Sequence, residues 1–276
     1  MRFSIITPSF RNSDWLKLCV ASVADQEADL EHIVQDAGSD DGTLDWLPRD
    51  PRVKAFVEKD QGMYDAVNRG LRRAQGEILA YLNCDEQYLP GTLKAVADFF
   101  EHHPHIDVLF ADIVVVDGDG KYLFHRKVQT PRLFHTMVDH LPTLTCATFF
   151  RRKLIADDGL FFNPKLRDVG DGEWMVRLLK RHTPMAVLRR FTSTFTMTGN
   201  NMSARPNAAR ERAELFNSAP LWARKLKPLL ILQHRLGRLA GGIYSQKPFS
   251  YALYTRASPA KRIVHDVAQP TFKWKS

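Results

Sequence analysis

Between Phe3 and Leu82 the chain alternates between short apolar runs and stretches of helical period, and no other feature of it restricts the fold as much. FSIITPSF is an apolar, β-rich run, whereas from Ser13 to Asp25 the residues Trp15, Leu18, Cys19 and Ser22/Val23 return to one helical face. LEHIVQDA repeats the strand signature, and DDGTLDWL follows as a short helix whose start the Asp40/Asp41 pair can cap. RVKAFVEK, MYDAVNRGLRRA and GEILAYLN then read as strand, helix and buried strand. A series of this kind predicts an α/β fold, with a mostly parallel central sheet covered by helices on both faces.

Such sheets bind ligands beyond the carboxyl ends of their strands, where strand order reverses. Three of the predicted strands end in polar residues: Thr7, Pro8 and Ser9 after the first, Asp36 and Ser39 after the second, Asn83, Asp85 and Glu86 after the last. Singly, each group is what a wet loop carries. Together they predict one cleft. Asn83 and Asp85, two positions apart in NCDE, present hard oxygen donors to Mg²⁺ or Mn²⁺, ions that take few protein carboxylates and complete their shells with water and phosphate oxygens. Neither GxxxxGK[ST] nor GxGxxG occurs, so a nucleotide would be held in some other way.

With 276 residues the chain can bury one sizeable core plus an appendage. Its three cysteines, Cys19, Cys84 and Cys146, show no CxxC spacing, which points away from a disulfide framework or a cysteine zinc site. The start MRFSIITPSF has one basic residue and too short an apolar run for a signal peptide, and no stretch approaches the roughly 18 apolar residues of a membrane span. A cytoplasmic protein, peripheral at the inner face of the cell membrane, is the expectation. Polar features elsewhere read as structural: Asp117 and Asp119 in VDGDGKYLF as hairpin-turn residues, and His102, His103 and His105 as a solvated helix end.

SIITPSF, VQDAGSDDGT, EKDQGMYDAVNRGLRRAQGEILAYLNCDEQY, ATFFRRKLI and DVGDGEWMVRLLKR resemble, in the same order, the successive signatures of the family 2 glycosyltransferases of the GT-A fold. The resemblance covers residues 1–200. It implies an inverting, metal-dependent transfer from a nucleotide-diphosphate sugar, first of all a UDP-sugar, to a hydroxyl of a glycan or lipid-linked acceptor in cell-surface polysaccharide biosynthesis. Mn²⁺ or Mg²⁺ is the implied cofactor. Carried over by position, Thr7, Pro8 and Ser9 frame the nucleoside, Asp36 hydrogen-bonds the base and Ser39 lies beside it. Asp60 and Gly62 belong to the segment that closes over the nucleotide, and Asn68 follows on the next helix, with Tyr64 either a site residue or a packing aromatic. NCD stands where the family has DxD. Asn83 replaces the first Asp, Asp85 is left as the surest metal ligand, Glu86 is a neighbour of the ligand, and Cys84, within the binding segment, reads as a small apolar filler. Many relatives carry His-Gln where Thr145 and Cys146 precede Ala147, which sets the acceptor side apart.

An inverting transfer needs a carboxylate to take the acceptor's proton as its oxygen attacks opposite the departing diphosphate. Asp171 in GDGEW matches the family's acidic position, with Glu173 the alternative and Asp168 a third choice. Asp171 as a bare N-cap of the following helix is the competing reading.

Charge divides the chain further. Residues 1–198 hold 25 Lys/Arg and 28 Asp/Glu, whereas residues 199–276 hold 14 and 3, a balance of −3 against +11. PLWARKLKPLLILQHRLGRLAGG mixes Trp222, Leu226, Leu229, Leu230, Leu232, Leu236 and Leu239 with Arg224, Lys225, Lys227, Arg235 and Arg238, the composition of a helix lying in a membrane interface, divided at Pro228. The expectation is thus a catalytic domain over 1–200 and a helical basic extension over 201–276 that meets an anionic membrane surface and no nucleic acid. Two readings compete: a non-catalytic nucleotide-sugar-binding or scaffold protein, and a nucleic-acid binder through the basic tail.

Overall fold

The structure, a computed structural model, describes residues 1–199 and 206–274. The chain begins with β1 (Phe3–Ser9), α1 (Ser13–Ala24), β2 (Leu30–Asp36), α2 (Thr43–Trp46), β3 (Lys54–Val57), α3 (Met63–Arg73) and β4 (Ile78–Tyr81). Every element read from the alternation is present. There follow β5 (Gln87–Tyr88), α4 (Thr92–His102), β6 (Val108–Asp117), β7 (Tyr122–Arg126), α5 (Leu133–Val138), β8 (Thr148–Arg151), α6 (Lys153–Ala156), α7 (Gly170–Lys180) and β9 (Met185–Met197).

These strands form one sheet in the order β3-β2-β1-β4-β8-β6-β9-β5, with β7 beside β6. The first four are mutually parallel, β8 runs against both its neighbours, and β6 and β9 are parallel again. Parallel strands need cover on both faces, and β1 and β4 are buried along their whole length. Close approach on one side depends on a missing side chain: a Cβ on Gly70 would lie 2.5 Å from Ile6 Cγ2, so α3 can lie tightly against β1. The β6–β7 hairpin turns where the sequence places it. Asp117 Oδ1 accepts the backbone N–H groups of Asp119 and Lys121, both at 2.9 Å. His102 and His103 sit at the end of α4, each ring engaged with a carbonyl one turn back.

Strand order counts down 3-2-1 and then jumps to 4, so the crossovers reverse between β1 and β4. A cleft opens at the carboxyl ends of adjacent strands where this happens. Ser9 ends β1 there, and Asn83 to Glu86 follow β4.

The expected boundary at residue 200 lies outside the described residues. Beyond it come α8 (Pro206–Asn217), α9 (Leu221–Lys225), α10 (Lys227–Ala240), β10 (Phe249–Thr255) and β11 (Ser258–Val267). The division at Pro228 is observed, since Pro is tolerated in a first helical turn, where its missing N–H is not needed. The extension also contains an antiparallel β10–β11 hairpin that the helical expectation did not include. Tyr251, Leu253 and Val267 of that hairpin pack with Leu89, Val114 and Val116, and Arg262 pairs with Asp25 of the loop after α1 at 2.6 Å. Tertiary packing gives these side chains a partner that their local pattern does not reveal.

Candidate active site

At the first strand end the three expected residues behave differently. The Thr7 hydroxyl lies 2.9 Å from His32 Nε2, fully buried within the sheet, so in place of the expected nucleoside contact it ties β1 to β2. Pro8 is buried beside it. Ser9 is also buried, and its hydroxyl has no hydrogen-bond partner in the protein. Buried polar atoms are normally paired, so this hydroxyl is available to a ligand.

After β2, Asp36 Oδ1 accepts from the backbone of Gly38 and Ser39 at 2.9 and 2.7 Å, and Oδ2 accepts from Ser39 Oγ at 2.8 Å. Ser39 Oγ in turn accepts from Arg11 N. Asp36 therefore shapes its own loop, with lone pairs remaining for one further donor. After β3, Asp60 Oδ1 accepts from Gly62 N at 2.9 Å, and burial, with smaller contributions from Asp65 and Asp36, raises the Asp60 carboxyl above its ordinary range. Gly62 has φ +129°, which only glycine adopts without strain. A Cβ there would lie 3.7 Å from the Arg167 guanidinium, so a cation that the sequence did not single out leans over this segment.

Asn68 departs from its expected role. Its amide donates to Phe162 O at 2.8 Å and accepts from Phe162 N at 2.9 Å, and the residue is buried. Both ends of the side chain hold the 160s loop, so bracing that loop is the role the contacts show.

After β4, the Asn83 N–H donates to Glu86 Oε2 at 2.8 Å, while the Glu86 N–H donates to Asn83 O at 3.0 Å. Glu86 is thus fixed beneath the turn. Cys84 points into an apolar cluster of Leu16, Val20, Val34 and Leu47, a packing position with no polar contact to offer a nucleotide sugar. Asp85 is half-buried, and burial raises its carboxyl. The Glu86 carboxyl is pushed up to about 8, by burial first and by the charge of Asp85 second. Two adjoining acids with no cation among their described contacts are costly. The donor set therefore fits a divalent cation, with Asp85 the residue that would hold it.

Asp171 lies in the first turn of α7, and Val169 occupies the N-cap position, so the bare N-cap reading does not hold. Oδ1 accepts from Gly172 N at 2.8 Å, and the Tyr64 hydroxyl stands 3.4 Å from the same oxygen. Burial raises the carboxyl above its ordinary range, opposed in part by these hydrogen bonds. Gly170 permits the approach, since a Cβ there would lie 2.6 Å from the Tyr64 ring. With Tyr81, Thr145, Phe162 and Trp174, Asp171 lines a small cleft. Tyr81 links the two acidic centres: burial raises its hydroxyl well above the usual range, and the charges of Asp171 and, less strongly, Glu86 add to the effect.

The alternatives to Asp171 are held in other contacts, although Asp168 Oδ1 is buried without a hydrogen-bond partner. Glu173 forms an i,i+4 ion pair with Arg177 at 2.8 Å, and Asp168 Oδ2 accepts from Asn207 at 2.7 Å. Beneath them is a residue that sequence reasoning missed. Glu211 on α8 accepts the backbone N–H groups of Arg167, Asp168 and Val169 at 2.8, 2.9 and 2.8 Å, fixing the loop that leads to Asp171. Burial alone would raise the Glu211 carboxyl, but these bonds and the Asn207 amide outweigh it and lower it. As one of three acids in a basic tail, it carried no local signal.

A sheet of this order, with acids at the mouth of its switch point and a hydrogen-bonded carboxylate lining the same region, has the architecture of the GT-A transferases. Residues 4–160 match the family described as Glycosyl transferase family 2, and the chain belongs to it. It is a glycosyltransferase. It is 31% identical over 186 residues to the PGL/p-HBAD biosynthesis glycosyltransferase Rv2957 of Mycobacterium tuberculosis (strain H37Rv), an alignment covering 63% of this chain and 68% of that protein. The poly(ribitol-phosphate) β-N-acetylglucosaminyltransferase TarS of Staphylococcus aureus (strain MW2) is 25% identical over 181 residues, or 62% of this chain and 31% of the relative. Among solved structures, S. aureus TarS 1-349 in complex with UDP-GlcNAc superposes with a TM-score of 0.60 at 21% identity, covering 87% of this chain and 73% of the other. The mannosyltransferase PcManGT from Pyrobaculum calidifontis, in complex with GDP-Man and Mn²⁺, gives 0.55 at 15%, covering 87% and 79%.

Among the described residues, no helix is long and apolar enough to cross a membrane.

Proposed function

We propose that the protein transfers a sugar, with inversion, from a nucleotide-diphosphate donor of the UDP-sugar type to a hydroxyl of a glycan or lipid-linked acceptor. The observation that carries this reading is the half-buried Asp171 carboxylate, hydrogen-bonded by Tyr64 and lining a cleft with Tyr81. Asp171 receives the acceptor proton, and its raised affinity for that proton suits a general base. Tyr64 and the Gly172 N–H hold the carboxylate in place. Ser9, the Asp36 loop and the Asp60–Gly62 segment enclose the nucleotide, with Arg167 placed toward its phosphates. A divalent cation at Asp85, when bound, neutralises the charge that develops on the departing diphosphate. TarS, with UDP-GlcNAc bound, and PcManGT, with GDP-Man and Mn²⁺, lend the donor class and the ion their support.

The extension supports a surface role. Leu229, Leu232, Leu236 and Leu239 of α10 are 59%, 50%, 56% and 66% exposed and recur at helical spacing, an outward apolar row. The inner face packs, with Leu230 against α5. Of the basic residues expected to meet a membrane, Arg238 is buried over Trp274, whereas Lys225 and Arg235 remain exposed. We place this row in the interface of an anionic membrane.

The test is a panel of nucleotide sugars with Mn²⁺, read by release of nucleoside diphosphate and by the anomeric configuration of the product. Inverted product from one donor is expected. Nucleotide binding with neither hydrolysis nor transfer across the panel and a range of acceptors would favour the non-catalytic reading.

A further inference from the structure

Three histidines from separate parts of the chain meet beneath α10. His135 belongs to α5, His140 follows it, and His234 belongs to α10, and each offers a ring nitrogen such that all three lie within 4.8 Å of one another. His135 and His234 stack with ring centroids 3.8 Å apart, and the His140 ring stands 4.8 and 5.5 Å from theirs. His135 is buried, yet neither of its ring nitrogens has a hydrogen-bond partner. Asp139 Oδ2 stands 3.7 Å from His135 Nε2, longer than a hydrogen bond, so the ring's hydrogen-bonding capacity is left unused within the protein. His140 Nδ1 lies 2.5 Å from Asp139 Oδ2, the carboxylate–histidine pairing that orders a metal-binding ring and leaves Nε2 as its ligand atom.

We propose that His135, His140 and His234 form a binding site for a transition-metal ion of the zinc class, with Asp139 orienting His140 and a water completing the shell. Imidazole sets select zinc, cobalt, nickel and copper over the oxygen-seeking ions suited to Asp85. Zn–N bonds of roughly 2.1 Å set tetrahedral ligand nitrogens about 3.4 Å apart, so closure from the observed spacing requires rotation of the rings, with His135 and His234 splaying from their stack. Two groups oppose it. The Gln129 amide nitrogen contacts both ring nitrogens of His234, standing 2.8 Å from Nε2, and must withdraw for that ring to bind. Arg238 Nη2 stands 3.2 Å from His140 Nε2, and the guanidinium lies over Trp274 at 4.8 Å, a cation–π site that retains it when the imidazole turns to the ion. The exposed Arg235 borders the same cavity. The consequence is mechanical: α10 of the extension becomes fastened to α5, whose Met137 and Val138 pack with Val176 of α7, the helix that bears Asp171.

The experiment uses the full chain without affinity histidines, stripped with chelator, and its Asp85→Asn variant to remove the donor-site ion. Titration with Co²⁺ should give visible d–d absorption saturating at one equivalent in both proteins, and Zn²⁺ should displace it and raise the melting temperature by several degrees. His135→Gln, His140→Gln and His234→Gln should each weaken Co²⁺ binding at least 100-fold. His140 is only half-buried, so its variant remains informative if the other two fail to fold. Cobalt absorption that persists in His140→Gln, or its absence from the folded parent, overturns the proposal. So does a histidine-dependent rise in melting temperature with inorganic phosphate and not with Zn²⁺, which would make the cavity an anion site.

Discussion

The Asp171 backbone N–H donates to the Tyr64 hydroxyl at 3.1 Å while that hydroxyl stands 3.4 Å from Asp171 Oδ1, so one phenol positions both the main chain and the carboxylate of the proposed base. Two residues 107 positions apart are thereby joined at the centre of the site. Tyr64→Phe should lower kcat about 10-fold with the donor KM unchanged, and Asp171→Asn should lower it about 100-fold or more, the usual scale of general base catalysis. Steady-state kinetics decide it. Full kcat in Tyr64→Phe would reduce the phenol to packing, and an inactive Glu173→Gln beside an active Asp171→Asn would move the base to Glu173.

The pH profile follows from the sign of the Asp171 shift. A base works deprotonated, and burial raises this carboxyl, so kcat/KM should fall in acid through an inflection above the ordinary value of about 3.9. Asp171→Asn should remove that limb from the residual activity. A limb that survives unchanged in the variant belongs to another group.

Asp85→Asn should abolish transfer and the Mn²⁺ dependence of UDP binding, measured by calorimetry, and chelator should do the same to the native protein. Stability should move the other way. The substitution takes one charge from an uncompensated acid pair, so the melting temperature without metal should hold or rise. Unchanged metal dependence in the variant would remove Asp85 from the role.

Glu211→Gln keeps one accepting oxygen and puts an amide NH2 where the other stood, so at least one of the three N–H groups loses its acceptor, and it should cost about 2 kcal/mol of stability. It should lower kcat about 10-fold and also raise the donor KM, because the loosened loop carries Arg167 as well as the lead into Asp171. The folded Glu211 pKa is depressed, so its contribution is present above the ordinary glutamate value and lost as pH falls through the folded one. The difference in melting temperature between variant and native protein should therefore close in acid.

Replacing Leu229, Leu232, Leu236 and Leu239 by Ser should weaken binding to anionic vesicles at every ionic strength, with an unchanged melting temperature because these side chains are exposed. Lys225→Gln with Arg235→Gln should weaken it mainly at low salt, where charge is least screened. Native protein that ignores anionic vesicles in flotation rules out the membrane role. Removal of the whole extension is no substitute, since Glu211 and the β10–β11 hairpin brace the catalytic fold.

The parallel half of the sheet, its switch point and the acids at the end of β4 were legible in the chain because each rests on a local period: two for strands, 3.6 for helices, and a polar break where a buried strand meets water. The hairpin turn at Asp117 and the division of the tail at Pro228 were legible for the same reason. What each polar group does with its lone pairs was not. Thr7 and Asn68 fit a donor site by position, yet His32 and the Phe162 backbone occupy them. Glu211, the β10–β11 hairpin and the meeting of His135, His140 and His234 depend on contacts between distant parts of the chain. A hydrogen bond is satisfied by whatever folding brings within about 3 Å, and sequence spacing carries no record of that partner. The sequence thus determined where a cleft would form and which acids would border it, and the tertiary structure decided which of those groups remain free to act.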